Sequence, residues 1–228
     1  MVKFILLDLD DTILDFHKAE AIALRGALQE LGLQSTDEII SRYSEINNRH
    51  WQLLELGRLK RDEVLTRRFT VLFQEFNIDC TGEKARAVYE RRLSIGHYFM
   101  PGAEDLIKAL YGKYLLYIVS NGTATVQDGR IKSAGIARYF NDIFISQRIG
   151  HDKPSKEFFE SCFARIPDFD RKKAVIIGDS LTSDIQGGLN AGIRTIWYNY
   201  RHKPLDGNII PDYETDSLDS IPALLQEL

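Results

Sequence analysis

The sequence predicts an α/β protein: a Rossmann-like parallel sheet core with helices on both faces, interrupted by an inserted all-helical subdomain. Three observations lead there. Short runs rich in Ile, Leu and Val repeatedly end in polar or glycine residues, helical patterns separate them, and one strand-free block breaks the alternation. Runs of this kind fit strands buried on both faces of a parallel sheet. Their alternation with helices implies right-handed crossovers.

In chain order, Phe4–Leu7 runs into Asp8, Leu115–Val119 into Ser120, Ile143–Ile145 into Ser146, and Ala174–Ile177 into Gly178 and Asp179. A fifth run, Ile193–Trp197, follows a helix stop at Gly192. Helical patterns cover Ala103–Leu110, Ala124–Ala134, Ser155–Arg165 and Ser183–Ala191. The block from Phe16 to Ile95 has no convincing strand. Within it Leu24, Leu28 and Leu31 recur at helical spacing before Gly32, as do Ile39, Tyr43, Ile46, His50 and Leu53. Leu65, Phe69, Leu72, Phe73 and Phe76 repeat the pattern up to a turn at Asn77. The expected organisation is a core of residues 1–15 and 96–228 with a helical cap of residues 16–95, and Pro101–Gly102 marks the return.

Composition narrows the function. The 228 residues are 44% hydrophobic and 27% charged, with no low-complexity stretch, which is a folded profile. A net charge of −4 with scattered Lys and Arg argues against a nucleic acid polymer as partner. The apolar run near the N-terminus is too short for an export signal and ends in carboxylates. No window is long enough to cross a membrane. Cys80 and Cys162 lie far apart without zinc spacing and read as reduced thiols. The expectation is a cytoplasmic protein with a small-molecule partner, as a monomer or small homo-oligomer.

In open parallel sheets, ligands sit beyond the carboxyl ends of the strands. That rim is expected to gather Asp8, Asp10, Asp179 and Asp184. Such a cluster repels itself, and a hard cation held by few oxygens and waters, Mg²⁺, is the economical counter-charge. Lys153, ahead of a helix, supplies a fixed positive charge. A cation, a Lys and a Ser at strand ends suit a phosphoryl group. Each element alone has a plain structural reading: a turn or helix cap for D-x-D, an N-cap for Ser120, a simple turn for Gly-Asp-Ser. The conjunction of four such elements, in order at strand ends, is what points to chemistry.

The order D-L-D-D-T at 8–12, S-N at 120–121, K-P at 153–154 and G-D-S-L-T-S-D at 178–184 resembles the four motifs of the haloacid dehalogenase superfamily of phosphohydrolases. The inserted helices are similar to that family's C1-type cap. The resemblance implies that Asp8 is the nucleophile that becomes an aspartyl phosphate. It implies that Asp10 is the general acid and then base, its main-chain carbonyl also serving as a metal ligand. Ser120 and Lys153 match the phosphoryl-binding pair, with Thr12, Asn121 and Gly122 beside the substrate. Asp8, Asp10 and Asp179 match the Mg²⁺ site, and Asp184 orients Lys153 or metal-bound water. An Asp at position 10 favours phosphatase over dehalogenase chemistry, since the dehalogenase branch lacks it.

Two further stretches resemble the pyrimidine 5′-nucleotidase subgroup, which hydrolyses nucleoside monophosphates: Trp51 to Phe69 in the cap, and Gly192–Asn199 with Lys203–Pro204. A nucleoside offers a π face and hydrogen-bonding ring edges. Phe16, His17, Asn47, His50, Trp51 and Arg68 supply matching groups, and His17, Trp51 and Arg68 are the expected substrate contacts. The structural readings stay open beside these: Trp51 and Phe69 as cap core, His50 as packing, Arg67–Arg68 as a solvated face. Tyr198, Asn199 and His202 either border the mouth or cover the sheet edge. Alternatives to the nucleotidase are a sugar-phosphate phosphatase, a β-phosphoglucomutase-like phosphotransferase and a non-catalytic binding module.

Overall fold

A computed structural model describes residues 1–205 and 207–228. Its sheet contains β1 (Phe4–Leu7), β2 (Leu115–Ser120), β3 (Asp142–Ile145), β4 (Ala174–Gly178), β5 (Arg194–Tyr198) and β6 (Tyr213–Thr215). All five pairings are parallel, in the order β3-β2-β1-β4-β5-β6. The central strands are continuous apolar runs because both faces are covered.

One face carries Ile5, Leu7, Ile118, Val175, Ile177 and Ile196. Helices α5 (Ala103–Leu110), α6 (Ala124–Ala134) and α10 (Ile221–Glu227) pack there through Leu106, Ile107, Ile131, Ile221 and Leu225. The opposite face carries Phe4, Leu6, Val119, Phe144 and Ile176 against Phe158, Phe159 and Phe163 of α8 (Lys156–Phe163). A single turn, α7 (Ser146–Ile149), precedes α8, and α9 (Gln186–Ala191) follows β4. Among the described residues no helix is long and apolar enough to cross a membrane.

Helices α1 (Phe16–Glu30), α2 (Asp37–Glu55), α3 (Arg61–Glu75) and α4 (Gly82–Leu93) fill the interval between β1 and α5. They bury their own cluster, including Leu24, Leu28, Tyr43, Phe69, Leu72 and Tyr89. Val126 of α6 joins that cluster and ties the block to the sheet core. Asp15, Thr36 and Thr81 cap α1, α2 and α4 by accepting main-chain N–H bonds. Asn77 ends the α3 pattern with φ of 51°, a left-handed turn that asparagine tolerates.

Three elements escaped sequence reading. Helix α4 is strongly polar and buries only a narrow stripe, chiefly Ala85, Tyr89 and Leu93. Strand β6 has three residues at the sheet edge, half-buried Tyr213 and Thr215 flanking exposed Glu214, and α10 is seven residues long. The expected helix over Ser183–Ala191 starts later, at Gln186, because a π-helical turn, Leu181–Ile185, comes first.

Phe69 is fully buried, with ring centroids 5.0 Å from Tyr43 and 5.5 Å from Tyr89. Truncating Phe69→Ala should cost about 3–5 kcal/mol of stability. Urea unfolding would measure it, and a loss under about 1 kcal/mol would show that the cap refills the space.

Candidate active site

From β1 the chain steps outward through β2 and β3 on one side, then through β4, β5 and β6 on the other. Strand order therefore reverses at β1, which opens a crevice beyond the strand ends. Asp8 follows β1, Ser120 closes β2 and Asp179 follows β4, so three adjacent strands deliver them to one rim. A cavity of about 470 Å³ lies between this rim and the helical insertion.

Lys153 is 1% exposed at its floor. Its Nζ donates to Asp8 Oδ1 and Asp184 Oδ1, both at 2.7 Å, and to the Val119 carbonyl at 2.9 Å. Asn121 sets its main chain, accepting from Lys153 N–H at 2.8 Å and donating to the Lys153 carbonyl at 2.9 Å. Asp184 lies in the π-helical turn, and its second oxygen accepts from Ser180 N–H at 3.1 Å. Glycine is required at 178, where a Cβ would stand 2.3 Å from the Asp184 carboxyl carbon.

Asp8, Asp179 and Asp184 offer oxygens within 4.8 Å of one another. Burial pushes the Asp8 carboxyl well up, the Asp184 charge adds to this, and Lys153 opposes it. Burial, then the charges of Asp11 and Asp184, push Asp179 up to about 7. Burial alone would lower the Lys153 pKa, but Asp184 and Asp8 outweigh it and raise it. Lys203 Nζ stands 3.6 Å from Asp179 Oδ2, so two ammonium groups face three carboxylates, and carboxylate oxygens remain in excess. That donor set is all oxygen and fits a hard divalent cation such as Mg²⁺.

Asp10 also lines the cavity, but its carboxylate turns toward α6. It is ion-paired with the fully buried Arg130, and accepts from Gln127 Nε2 at 2.6 Å. Gln127 Nε2 is also 2.8 Å from Ser120 Oγ, which is buried at the end of β2. Asn121 and Gly122 do line the cavity. Thr12 is buried, and its hydroxyl accepts from Asp179 N–H at 3.1 Å, so it braces the rim.

Asp11 was not anticipated. With φ of 59° it turns back and accepts from the N–H groups of Phe16 and His17 at 2.9 and 3.3 Å. Its other oxygen meets His17 Nε2 at 2.9 Å. Burial works to raise Asp11, yet the hydrogen bond and charge of His17 hold it below the usual range, and His17 rises in turn against its own burial.

Trp51, Asn47 and Arg68 line the cavity from the helical block. Arg68 is not on a solvated face; it is 2% exposed. Phe69 is core, and His50 is a packing residue whose Nδ1 lies 2.7 Å from the Ile46 carbonyl. In the late segment Arg201 and Lys203 reach the wall, while Asn199 pins that loop by accepting from Lys203 N–H at 2.8 Å.

Arg61, read from sequence as one of the scattered basic residues, bridges the two parts. Its Nη1 donates to the Asn121 and Gly122 carbonyls at 2.6 and 3.1 Å, and its Nη2 meets Ser146 Oγ and Asp152. Thr182 donates to Glu55 Oε2 at 2.9 Å nearby, and burial pushes Glu55 up to about 7. Gln127 and Arg130 left one weak signal: on the predicted helix Ala124–Ala134 they flank the apolar positions Val126 and Ile131, where a plain amphipathic pattern wants apolar groups; Arg61 left none.

Residues 5–198 match the profile of the haloacid dehalogenase-like hydrolases. The chain is 42% identical to the HAD-hydrolase YfnB of Bacillus subtilis over 98% of this chain and 95% of that protein. A crystal structure of that hydrolase bound to magnesium superposes with a TM-score of 0.94 at 41% identity, covering 98% of each chain. The pyrimidine 5′-nucleotidase PynA of Streptococcus pneumoniae is 39% identical over 94% of this chain and 91% of its own length. The pyrimidine 5′-nucleotidase YjjG of Escherichia coli is 28% identical over 97% of both.

Lys153→Met would leave Asp8 and Asp184 facing each other without their shared cation. The Mg²⁺-free variant should lose about 3–5 kcal/mol at about pH 8. The loss should shrink at about pH 5, where protonation of the raised carboxyl relieves the repulsion. Chemical denaturation at both pH values checks this, and a pH-independent loss would show that the carboxylates do not repel across the gap.

Proposed function

The chain belongs to the haloacid dehalogenase-like hydrolase family, and on that footing we propose that it is a Mg²⁺-dependent phosphomonoesterase acting on nucleoside 5′-monophosphates with pyrimidine or non-standard bases. The observation that carries the chemistry is Lys153 shared between Asp8 and Asp184 at the floor of a cavity lined above by helices. Two relatives named as pyrimidine 5′-nucleotidases, aligned over nearly the whole chain, support the substrate.

In this reading Asp8 attacks phosphorus. A bond forms between its carboxylate oxygen and phosphorus as the nucleoside oxygen departs, protonated by Asp10. Asp10 then takes a proton from water, whose oxygen attacks the aspartyl phosphate and releases Asp8 and inorganic phosphate. Arg130 and Gln127 hold the Asp10 side chain in one orientation. Lys153 neutralises charge on the phosphoryl oxygens. Ser120 Oγ accepts from Gln127 and from Gly122 N–H at 3.2 Å, which leaves its own proton free for the phosphoryl group. Asp8 and Asp179, with the Asp10 main chain and Asp184 behind them, would hold Mg²⁺, which when bound neutralises the phosphoryl charge and orients it. The cap of residues 16–95 closes over the site, with His17, Trp51 and Arg68 toward the nucleoside. We place the enzyme in the cytoplasm as a monomer or small homo-oligomer.

Phosphate release should be measured with Mg²⁺ on pyrimidine and purine monophosphates, sugar phosphates and an aryl phosphate. Pyrimidine monophosphates should lead, EDTA should stop the reaction, and Asp8→Asn should abolish it. A lead for sugar phosphates would retire the substrate class; activity of Asp8→Asn would remove Asp8 as nucleophile.

Metal binding should depend on pH. Without Mg²⁺ Asp179 is raised to about 7, so below that pH it is neutral and must shed a proton when the metal binds. Mg²⁺ affinity should therefore fall as the pH drops below about 7, by about tenfold per pH unit for the Asp179 proton alone and more steeply where the raised Asp8 also sheds one. Calorimetric titration at several pH values reads this directly, and a flat profile would exclude Asp179 as a ligand.

A further inference from the structure

The reaction described above uses no group deep in the helical block, yet one is built there. Arg68 is 2% exposed and lines the same cavity as Asp8. Its Nη1 donates to Asn47 Oδ1 at 2.7 Å. Asn47 Nδ2 donates in turn to Glu20 Oε1 at 2.8 Å, and Ser44 donates to Glu20 Oε2 at 2.6 Å. Every hydrogen bond in this chain runs toward Glu20. The guanidinium is therefore its donor end, held in one orientation by an amide whose oxygen and nitrogen are both engaged.

The other edge of the guanidinium is free. Nε is buried without a partner. Among the described residues Nη2 has no hydrogen-bond partner either, and it is not one of the buried unpartnered atoms, so it keeps access to open space. Arg68 also makes no ion pair among the described residues; the neighbouring Glu90 is taken by Arg86 at 2.9 Å. Its charge is instead eased by the rings of Tyr43, Phe69 and Tyr89, whose centroids lie 5.2–5.8 Å from the guanidinium carbon. With aromatic faces spreading the charge, the cation lacks hydrogen-bond acceptors more than a counter-ion. A buried donor of this kind gains most from an oxygen that fills it, and penalises a ligand that does not.

We infer that Arg68, oriented by Asn47 and Glu20, reads a ring carbonyl of the nucleobase and so favours pyrimidine bases over adenine. All the common pyrimidines carry the 2-carbonyl, whereas adenine has none. Trp51 and Phe16, on the same cavity wall, offer flat apolar surface to the ring. This inference rests on the nucleotidase reading and adds to it the side chain that selects the base.

The test compares kcat/KM of the Mg²⁺-loaded full chain on three substrates. They are uridine 5′-monophosphate, the phenyl C-nucleoside 5′-monophosphate, which keeps a flat ring but has no ring oxygen, and ribose 5-phosphate. The unaltered enzyme should favour uridine over phenyl by about 10- to 100-fold. In Arg68→Met that ratio should collapse toward one, mainly through KM. Arg68→Lys, which keeps the charge but is shorter and loses the planar fork, should lower the ratio and is read if the Met variant does not fold. A uridine-to-phenyl ratio near one in the unaltered enzyme, or one unchanged in the variant, overturns the assignment while leaving the nucleotidase standing. Turnover of ribose 5-phosphate with none of either nucleotide overturns the nucleotidase reading, and this inference with it.

Discussion

The structure depends on bringing several carboxylates into one nearly dry place. Parallel strands end together, and here β1, β2 and β4 end on Asp8, Ser120 and Asp179. Carboxylates that close raise one another's pKa and destabilise the folded chain unless positive charge is placed among them. Lys153 is that charge, and much local architecture serves to hold it. Asn121 clamps its main chain, the π-helical turn presents Asp184, and Gly178 leaves that side chain its space. Positive charge still falls short of negative, which makes the rim receptive to a divalent cation and, with it, a phosphoryl group.

A second constraint is that this rim has to be covered and yet reachable. The covering helices bury a core of their own, so they form a stable body without burying the cavity wall. They meet the rim through polar links. Asp11 ties the loop after β1 to the start of α1, and Arg61 reaches from α3 to the carbonyls that follow β2. Thr182 and Glu55 join the π-helical turn to α2. Hydrogen bonds of this kind fix an orientation at modest net stability. The covering side contributes Trp51, Asn47 and Arg68 to the cavity.

Much was legible from the chain alone, for a physical reason. A strand buried on both faces must be apolar throughout, and a site at its end must break that run with a polar residue. The boundary is thus written locally, and Asp8, Ser120 and Asp179 stand at such boundaries. The helices from Ala103 to Leu110 and Ala124 to Ala134 were equally plain, each bounded by glycine or a clear change of pattern. Helix α4 and strand β6 were not, because their apolar stripes are too narrow to show a period.

Local pattern could not say what polar residues would meet once folded. Arg68 and Arg67 are neighbours in sequence and look alike there, yet Arg68 is buried against three aromatic rings while Arg67 is exposed. Arg130 is 120 residues from Asp10 and pairs with it. Thr12, expected beside the substrate, instead supports Asp179 from across 167 residues. Order along the chain reveals which residues end a strand, because burial acts on each strand within its own length. Partnership between charges depends on how far apart in space the packed layers leave them, and that distance exists only once the sheet and its cover have come together.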